Sequence, residues 1–190
     1  MRNTITIFFL AIFFWGNGQG ISSSLELLNV NDGKPTAIEA CADCKGVAVI
    51  FTSLGCAYDQ HYRERIKALE EKYSSSVSFY LVNANPGSEE SEAKMKETYQ
   101  TWGLSIPFLS DKKQVAMKML NVKRTPEAVL LKSERGILKT IYQGAIDDNP
   151  QVHHDTGVNF LQEAIEALVS GKTVRIATER AIGCTIRSGN

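Results

Sequence analysis

The chain has 190 residues, 43% hydrophobic and 22% charged, with 21 basic and 21 acidic side chains in formal balance. That composition is ordinary for a globular protein and large enough for one domain with a sizeable core. Net neutrality gives no electrostatic footing for nucleic acid or an anionic membrane surface as partner.

Residues 1–20 read as a signal peptide. Arg2 precedes an apolar run from Ile5 to Trp15, broken only by Thr6, and small residues follow at Gly16, Gly18 and Gly20. The run is short for a bilayer span. The expected mature domain is therefore residues 21–190, periplasmic or secreted, with no membrane contact after cleavage. Outside the cytosol, thiols pair or do redox chemistry. Cys41, Cys44, Cys56 and Cys184 all survive cleavage, and the sequence leaves their three full pairings open.

Residues 25–30 alternate weakly and end in the turn signal Asn31-Asp32-Gly33, which suggests a first edge strand. Residues 47–51 are continuously apolar, the pattern of a strand buried on both faces. Tyr58, Tyr62, Ile66, Leu69 and Tyr73 then mark one face of an amphipathic helix. Residues 77–82 form the next strand. Ser88 is expected to cap a helix carrying Met95, Tyr99 and Trp102. A short extended piece at 106–109 and a short helix through Val115 and Leu120 follow. Residues 128–131 and 137–142 read as a hairpin turning at 133–136. Val158, Leu161, Ile165 and Leu168 mark a last helix, capped by Asp155 or Thr156 and stopped at Gly171. Residues 172–190 form a tail with no pattern of its own. The order is α/β: a central mixed sheet flanked by helices, with an inserted helix and a C-terminal tail.

Cys56 sits where the buried strand ends and the amphipathic helix begins. A first helical turn offers unpaired N–H groups and the positive end of the dipole. Both favour thiolate over thiol, and the thiolate is the species that attacks a disulfide or a peroxide. The bland alternative is a small buried hydrophobe or half of an inert disulfide.

This arrangement, with Arg124-Thr125-Pro126 before a strand hairpin, resembles the thioredoxin superfamily over residues 25–170. The similarity leans towards its redoxin branch, the alkyl hydroperoxide reductase and thiol-specific antioxidant, or peroxiredoxin-like, proteins. The resemblance implies a thioredoxin-like fold, Cys56 as nucleophile, and Pro126 as a cis-proline lying against it. It also implies that Thr125 offers backbone groups to an extended substrate. The segment 181–186, with Gly183-Cys184, resembles the end of some exported redoxin-like proteins. Three departures stand out. Asp59 replaces the second thiol of a Cys-x-x-Cys motif, and Ala57 replaces the usual proline. Ser53 is at the offset of the peroxiredoxin Thr or Ser, but Arg124 is not at the peroxiredoxin arginine's place.

Cys41-Ala42-Asp43-Cys44 has the spacing of a local disulfide or of two metal ligands. The preferred reading is a disulfide, acting as a staple or as a relay to Cys56. A zinc set of Cys41, Cys44, Cys56 and His61 is disfavoured, because the straight strand 47–51 separates its members. His153-His154-Asp155 reads as solvated loop, and residues 89–97 as a mixed-charge helix face with no partner implied. Asp59 cannot resolve an oxidised Cys56, and Cys41 and Cys44 can satisfy each other. Cys184 is therefore the expected thiol to meet Cys56. The expectation is an exported thiol oxidoreductase acting on a disulfide or a peroxide with a thiol reductant, and needing no cofactor and no metal. The competing expectation is a redox-inactive binding or metal-handling module that keeps the fold without the dithiol.

Overall fold

The computed structural model describes residues 20–21, 24–40, 43–152 and 156–189. The expected signal peptide lies almost wholly outside these, as do Cys41, His153, His154 and Asp155.

Strands β1 (Gly20–Ile21), β2 (Leu25–Asn29), β3 (Lys34–Ile38) and β4 (Gly46–Phe51) precede helix α1 (Ala57–Tyr73). Next come β5 (Val77–Asn83), a 3-10 turn (Ser88–Glu90), α2 (Glu92–Tyr99), β6 (Phe108–Ser110) and α3 (Val115–Met119). The chain ends with β7 (Arg124–Thr125), the hairpin β8 (Glu127–Glu134) and β9 (Ile137–Gly144), α4 (Phe160–Val169), β10 (Thr178–Glu179) and β11 (Cys184–Thr185). The main sheet runs β1-β9-β8-β4-β5-β6-β2-β3, with β10 added to β9.

β4 lies inside this sheet, parallel to β5 and antiparallel to β8. All six of its residues are buried, as its unbroken apolar run demands. Its side chains alternate between two cores. Ala48 and Ile50 pack with Tyr62, Ile66, Leu69, Met95, Leu161 and Ile165 from α1, α2 and α4. Val47, Val49 and Phe51 pack on the other face with Ala116 from α3, Leu120, Val122 and Ile186. Helices thus cover both faces, as expected. The β8–β9 hairpin turns at Arg135 and Gly136, both at positive φ (53° and 77°), which matches the right-handed strand twist.

Four expectations change. β2 is not an edge: it pairs with β6 on one side and β3 on the other. β3 escaped notice because its sequence, Lys-Pro-Thr-Ala-Ile, is polar and holds a proline, both suited to the outermost strand. The inserted helix α2 starts at Glu92 with Ser91 as N-cap, not at Ser88, because the chain first makes a 3-10 turn that points Glu90 inward. The last helix is preceded by Asn159 rather than Thr156. The tail is ordered into β10 and β11.

Ile50 is fully buried near the C-terminal end of β4. Ile50→Ala should lower the unfolding free energy by about 2–5 kcal/mol in a denaturant titration. Val115→Ala, at a position 44% exposed, should change it by no more than about 0.5 kcal/mol.

Candidate active site

The register of β4 against β8 pairs Phe51 with Glu127. The segment leaving β4 and the segment entering β8 therefore meet at one end of the sheet. The first carries Ser53 and Cys56; the second carries Thr125 and Pro126. Cys56 is the N-cap of α1 in extended conformation, and its side chain makes no capping hydrogen bond. The residue is 1% exposed. The Thr125–Pro126 peptide is cis. Cys56 Sγ lies 3.3 Å from the Thr125 carbonyl oxygen.

That sulfur is bonded to Cys184, with the two Cα atoms 5.9 Å apart, inside the range disulfides adopt. The bond is made possible by a strand pairing. β11 lies antiparallel to β7, with Cys184 opposite Thr125 and Thr185 opposite Arg124. Ile186 N–H donates to the Lys123 carbonyl at 3.0 Å, and Arg124 Nη1 donates to the Gly183 carbonyl at 3.1 Å. Arg124 thus holds the tail. Beyond the strand, Gln114 Nε2 donates to the Arg187 carbonyl at 2.6 Å, while Gly189 N–H donates to Gln114 Oε1 at 2.9 Å.

Beneath the disulfide lies a buried polar chain. The Ser53 and Thr125 hydroxyls are 3.1 Å apart, and Ser53 donates to Asp59 Oδ2 from its hydroxyl at 3.3 Å and its N–H at 3.1 Å. Ser53, Asp59 and Thr125 are all buried. Burial pushes the Asp59 carboxyl up from 3.8 to about 7, against hydrogen bonds that favour its charged form. The residue that occupies the place of a second thiol is therefore a carboxyl poised near neutrality.

Glu90 was not singled out by its sequence context, an exposed-looking run of charge. It is 4% exposed. Its carboxylate accepts from Leu54 N–H at 2.8 Å, Gly55 N–H at 3.0 Å and Asn83 Nδ2 at 2.6 Å. It fixes the two peptide groups just before Cys56. Only a pairing of distant segments reveals this; alternation and helical spacing carry no sign of it.

Cys44 is disulfide-bonded, and its expected partner Cys41 lies outside the described residues. β4, six residues long and about 20 Å from end to end, runs between the segments that carry Cys44 and Cys56, and among the described residues no group of three or more His, Cys, Asp or Glu is placed to hold a metal ion. His61 is exposed on α1. The structure therefore does not gather Cys44, Cys56 and His61 at one point. Pro126 lines a cavity of about 230 Å³ together with Tyr62, Asp147, Phe160, Arg180 and Ile182.

No protein-family model matches the chain, and no curated protein matches it. Solved structures do. An uncharacterized conserved protein from Geobacillus kaustophilus is 24% identical, with 88% of this chain and 90% of that one covered and a TM-score of 0.77. A hypothetical protein from Sinorhizobium meliloti is 24% identical, covering 88% and 93%, with a TM-score of 0.76. A structure described as a secreted Mycobacterium tuberculosis disulfide oxidoreductase homologous to E. coli DsbE is 14% identical, covering 77% and 95%, with a TM-score of 0.53. These likenesses are of fold: the chain has the thioredoxin-like fold.

The folded-state value of Asp59 lies above its ordinary one. The folded protein therefore keeps a proton that the unfolded chain has already lost. This group's contribution to stability is complete below about pH 3.8 and falls as pH rises towards about 7. Asp59→Asn removes the titration. The stability of Asp59→Asn relative to the natural chain should rise between pH 4 and pH 7 by more than about 1 kcal/mol, measured by denaturant unfolding at each pH. A difference that stays flat across that range would show that Asp59 titrates in the folded protein as it does in the unfolded chain.

Proposed function

We propose that this chain is an exported thiol–disulfide oxidoreductase in which Cys56 and Cys184 are the redox couple. The observation that carries this reading is the Cys56–Cys184 disulfide at the N-terminus of α1. It unites a cysteine placed for thiolate character with a second thiol delivered by the tail. The leader-like residues 1–20 support export, leaving 21–190 as the working domain.

In the reduced protein the Cys56 thiolate attacks one sulfur of a substrate disulfide. The substrate S–S bond breaks and one substrate thiolate leaves, taking up a proton. The Cys184 thiolate then attacks Cys56 Sγ, and the second substrate thiolate leaves. The substrate gains two electrons and the protein holds the Cys56–Cys184 disulfide. An external thiol donor restores the dithiol. Thr125 and Pro126 border the reacting sulfur, and the Ser53 hydroxyl links Thr125 to Asp59. Cys44 stands apart as part of a separate structural bridge. A disulfide is favoured over a peroxide as oxidant, because Arg124, the cation nearest in sequence to the site's proline, is engaged by the Gly183 carbonyl.

With a small disulfide as substrate and excess thiol donor, Cys56→Ser should fall to the uncatalysed rate. Cys184→Ser, reduced and treated with the small disulfide before any thiol donor is added, should complete the first step and hold a mixed disulfide on Cys56, visible as a mass increase of one substrate half. Its turnover should drop at least about tenfold. A natural chain with no turnover above the thiol background would favour the redox-inactive binding module instead.

A further inference from the structure

Cys184 sits on a stretch of chain that is held on both sides. Upstream, β10 lies along β9 with Thr178 beside Gln143 and Glu179 beside Gly144, and Ala145 N–H donates to the Glu179 carbonyl at 3.2 Å. Gly144 permits that approach, since a Cβ on it would stand 1.7 Å from the Glu179 oxygen. Downstream, the firmest hold is one side chain. Gln114 Nε2 donates to the Arg187 carbonyl at 2.6 Å and Gly189 N–H donates to Gln114 Oε1 at 2.9 Å, so a single amide grips a carbonyl and an N–H of the tail. A third bond, from Nε2 to the Ala84 carbonyl at 3.0 Å, ties this grip to the chain leaving β5. None of these contacts passes through the disulfide.

The surroundings of Gln114 fix its amide in place. The residue is buried, and its backbone stands in the left-handed region, at φ 56° and ψ 35°, where glycine or asparagine is the easier choice. The Gln114 side chain therefore supplies contacts that a residue chosen for the backbone alone would not. Gln114 N–H donates to the Asp111 carbonyl at 2.8 Å, and Asp111 N–H donates to the Asn83 carbonyl at 2.8 Å. The Asp111 carboxylate accepts from Val115 N–H at 2.7 Å and Met117 N–H at 2.9 Å. β5 is the parallel neighbour of β4, the strand that leads to Cys56. Gln114 thus anchors the end of the tail to the same sheet that places Cys56. The Arg187–Glu89 ion pair beside it is exposed on both sides and holds little.

We infer that Gln114 is a positioning residue for the resolving thiol: it keeps Cys184 beside Cys56 after the disulfide opens, and so makes the pair a reducing couple. This rests on the redox reading above and deepens it by giving the reaction a direction. Held only upstream, Cys184 would ride five residues beyond Glu179, on a tether that sweeps about 12 Å. The hold at Arg187, three residues beyond Cys184, removes most of that freedom. When an external thiol opens the disulfide, its sulfur bonds to Cys56 Sγ and the Cys184 thiolate leaves. In the return step the Cys184 thiolate attacks Cys56 Sγ and expels the external thiolate. A Cys184 that stays close makes the return step fast, and the equilibrium favours the protein disulfide. The dithiol accordingly gives its two electrons readily to a substrate disulfide.

The test equilibrates the protein in buffers of reduced and oxidised glutathione, traps free thiols by acid and alkylation, and reads the reduced fraction by mass. Gln114→Met keeps an unbranched side chain of similar length and removes all three amide bonds. A chain ending at Ile186 keeps Cys184 and leaves Gln114 with nothing to grip. Each should lower the equilibrium constant for forming the Cys56–Cys184 disulfide at least about tenfold, a rise of about 30 mV in potential. Together they should lower it no further than either alone, because both remove the same contact. Glu89→Gln, which breaks only the exposed ion pair, should stay within about twofold of the natural chain. A loss of stability shared by the oxidised and reduced forms leaves this equilibrium unmoved, so a merely structural role for Gln114 gives no shift. An unchanged equilibrium in either single variant would overturn the inference, and so would effects that add in full. If Gln114→Met does not fold, the shortened chain decides by the same criterion. A natural chain whose Cys56 and Cys184 do not exchange with glutathione at all would overturn the redox reading as well.

Discussion

The site depends on the pairing of β4 with β8. Because the pair is antiparallel, the residues that leave one strand and those that enter the other emerge at the same end of the sheet. That places Cys56, Thr125 and Pro126 together although about seventy residues separate them in sequence. The pairing is held by burial: β4 is covered on both faces by two cores, and its main-chain groups are satisfied on both sides by β5 and β8. Slipping β4 by one residue would exchange the two cores and move Cys56 out of reach of Thr125.

Around that frame the loop before Cys56 is fixed by two acidic side chains drawn into the interior. Glu90 accepts the Leu54 and Gly55 N–H groups, and Asp59 accepts the Ser53 N–H. Buried carboxyls are costly unless well bonded, and here each satisfies peptide groups that face away from any strand or helix. Asp59 sits near neutrality rather than in the usual carboxylate range, so its charge responds to pH where an ordinary aspartate would not. The chain from Asp59 through Ser53 to Thr125 links that charge to the residue touching the Cys56 sulfur.

The tail completes the site from the opposite direction in sequence. Its two-residue pairing with β7 is too short to hold by itself, and neighbours reinforce it: Arg124 at one end, Gln114 and Asn85 at the other. A covalent bond that joins residues 128 apart therefore lies within a local strand geometry.

Some of this was determined by the sequence alone, because it depends on neighbours in the chain. The apolar run at 47–51 demanded a strand covered on both faces, and the spacing from Tyr62 to Tyr73 demanded a helix directly after Cys56. Those two facts put a cysteine at a helix N-terminus, and Thr125-Pro126 before the hairpin supplied the resemblance to the thioredoxin fold. Tertiary structure decided the rest. The polar strand β3 is visible only through its pairing with β2, since an outermost strand needs no apolar alternation. Glu90 and Asp59 look like solvated helix residues until distant peptide groups are found to need acceptors. Arg124 reads as a free cation until the tail brings the Gly183 carbonyl to it. The tail's course along β7 lies beyond local pattern altogether, because two-residue pairings are set by the backbone edge they meet and not by any periodicity of their own.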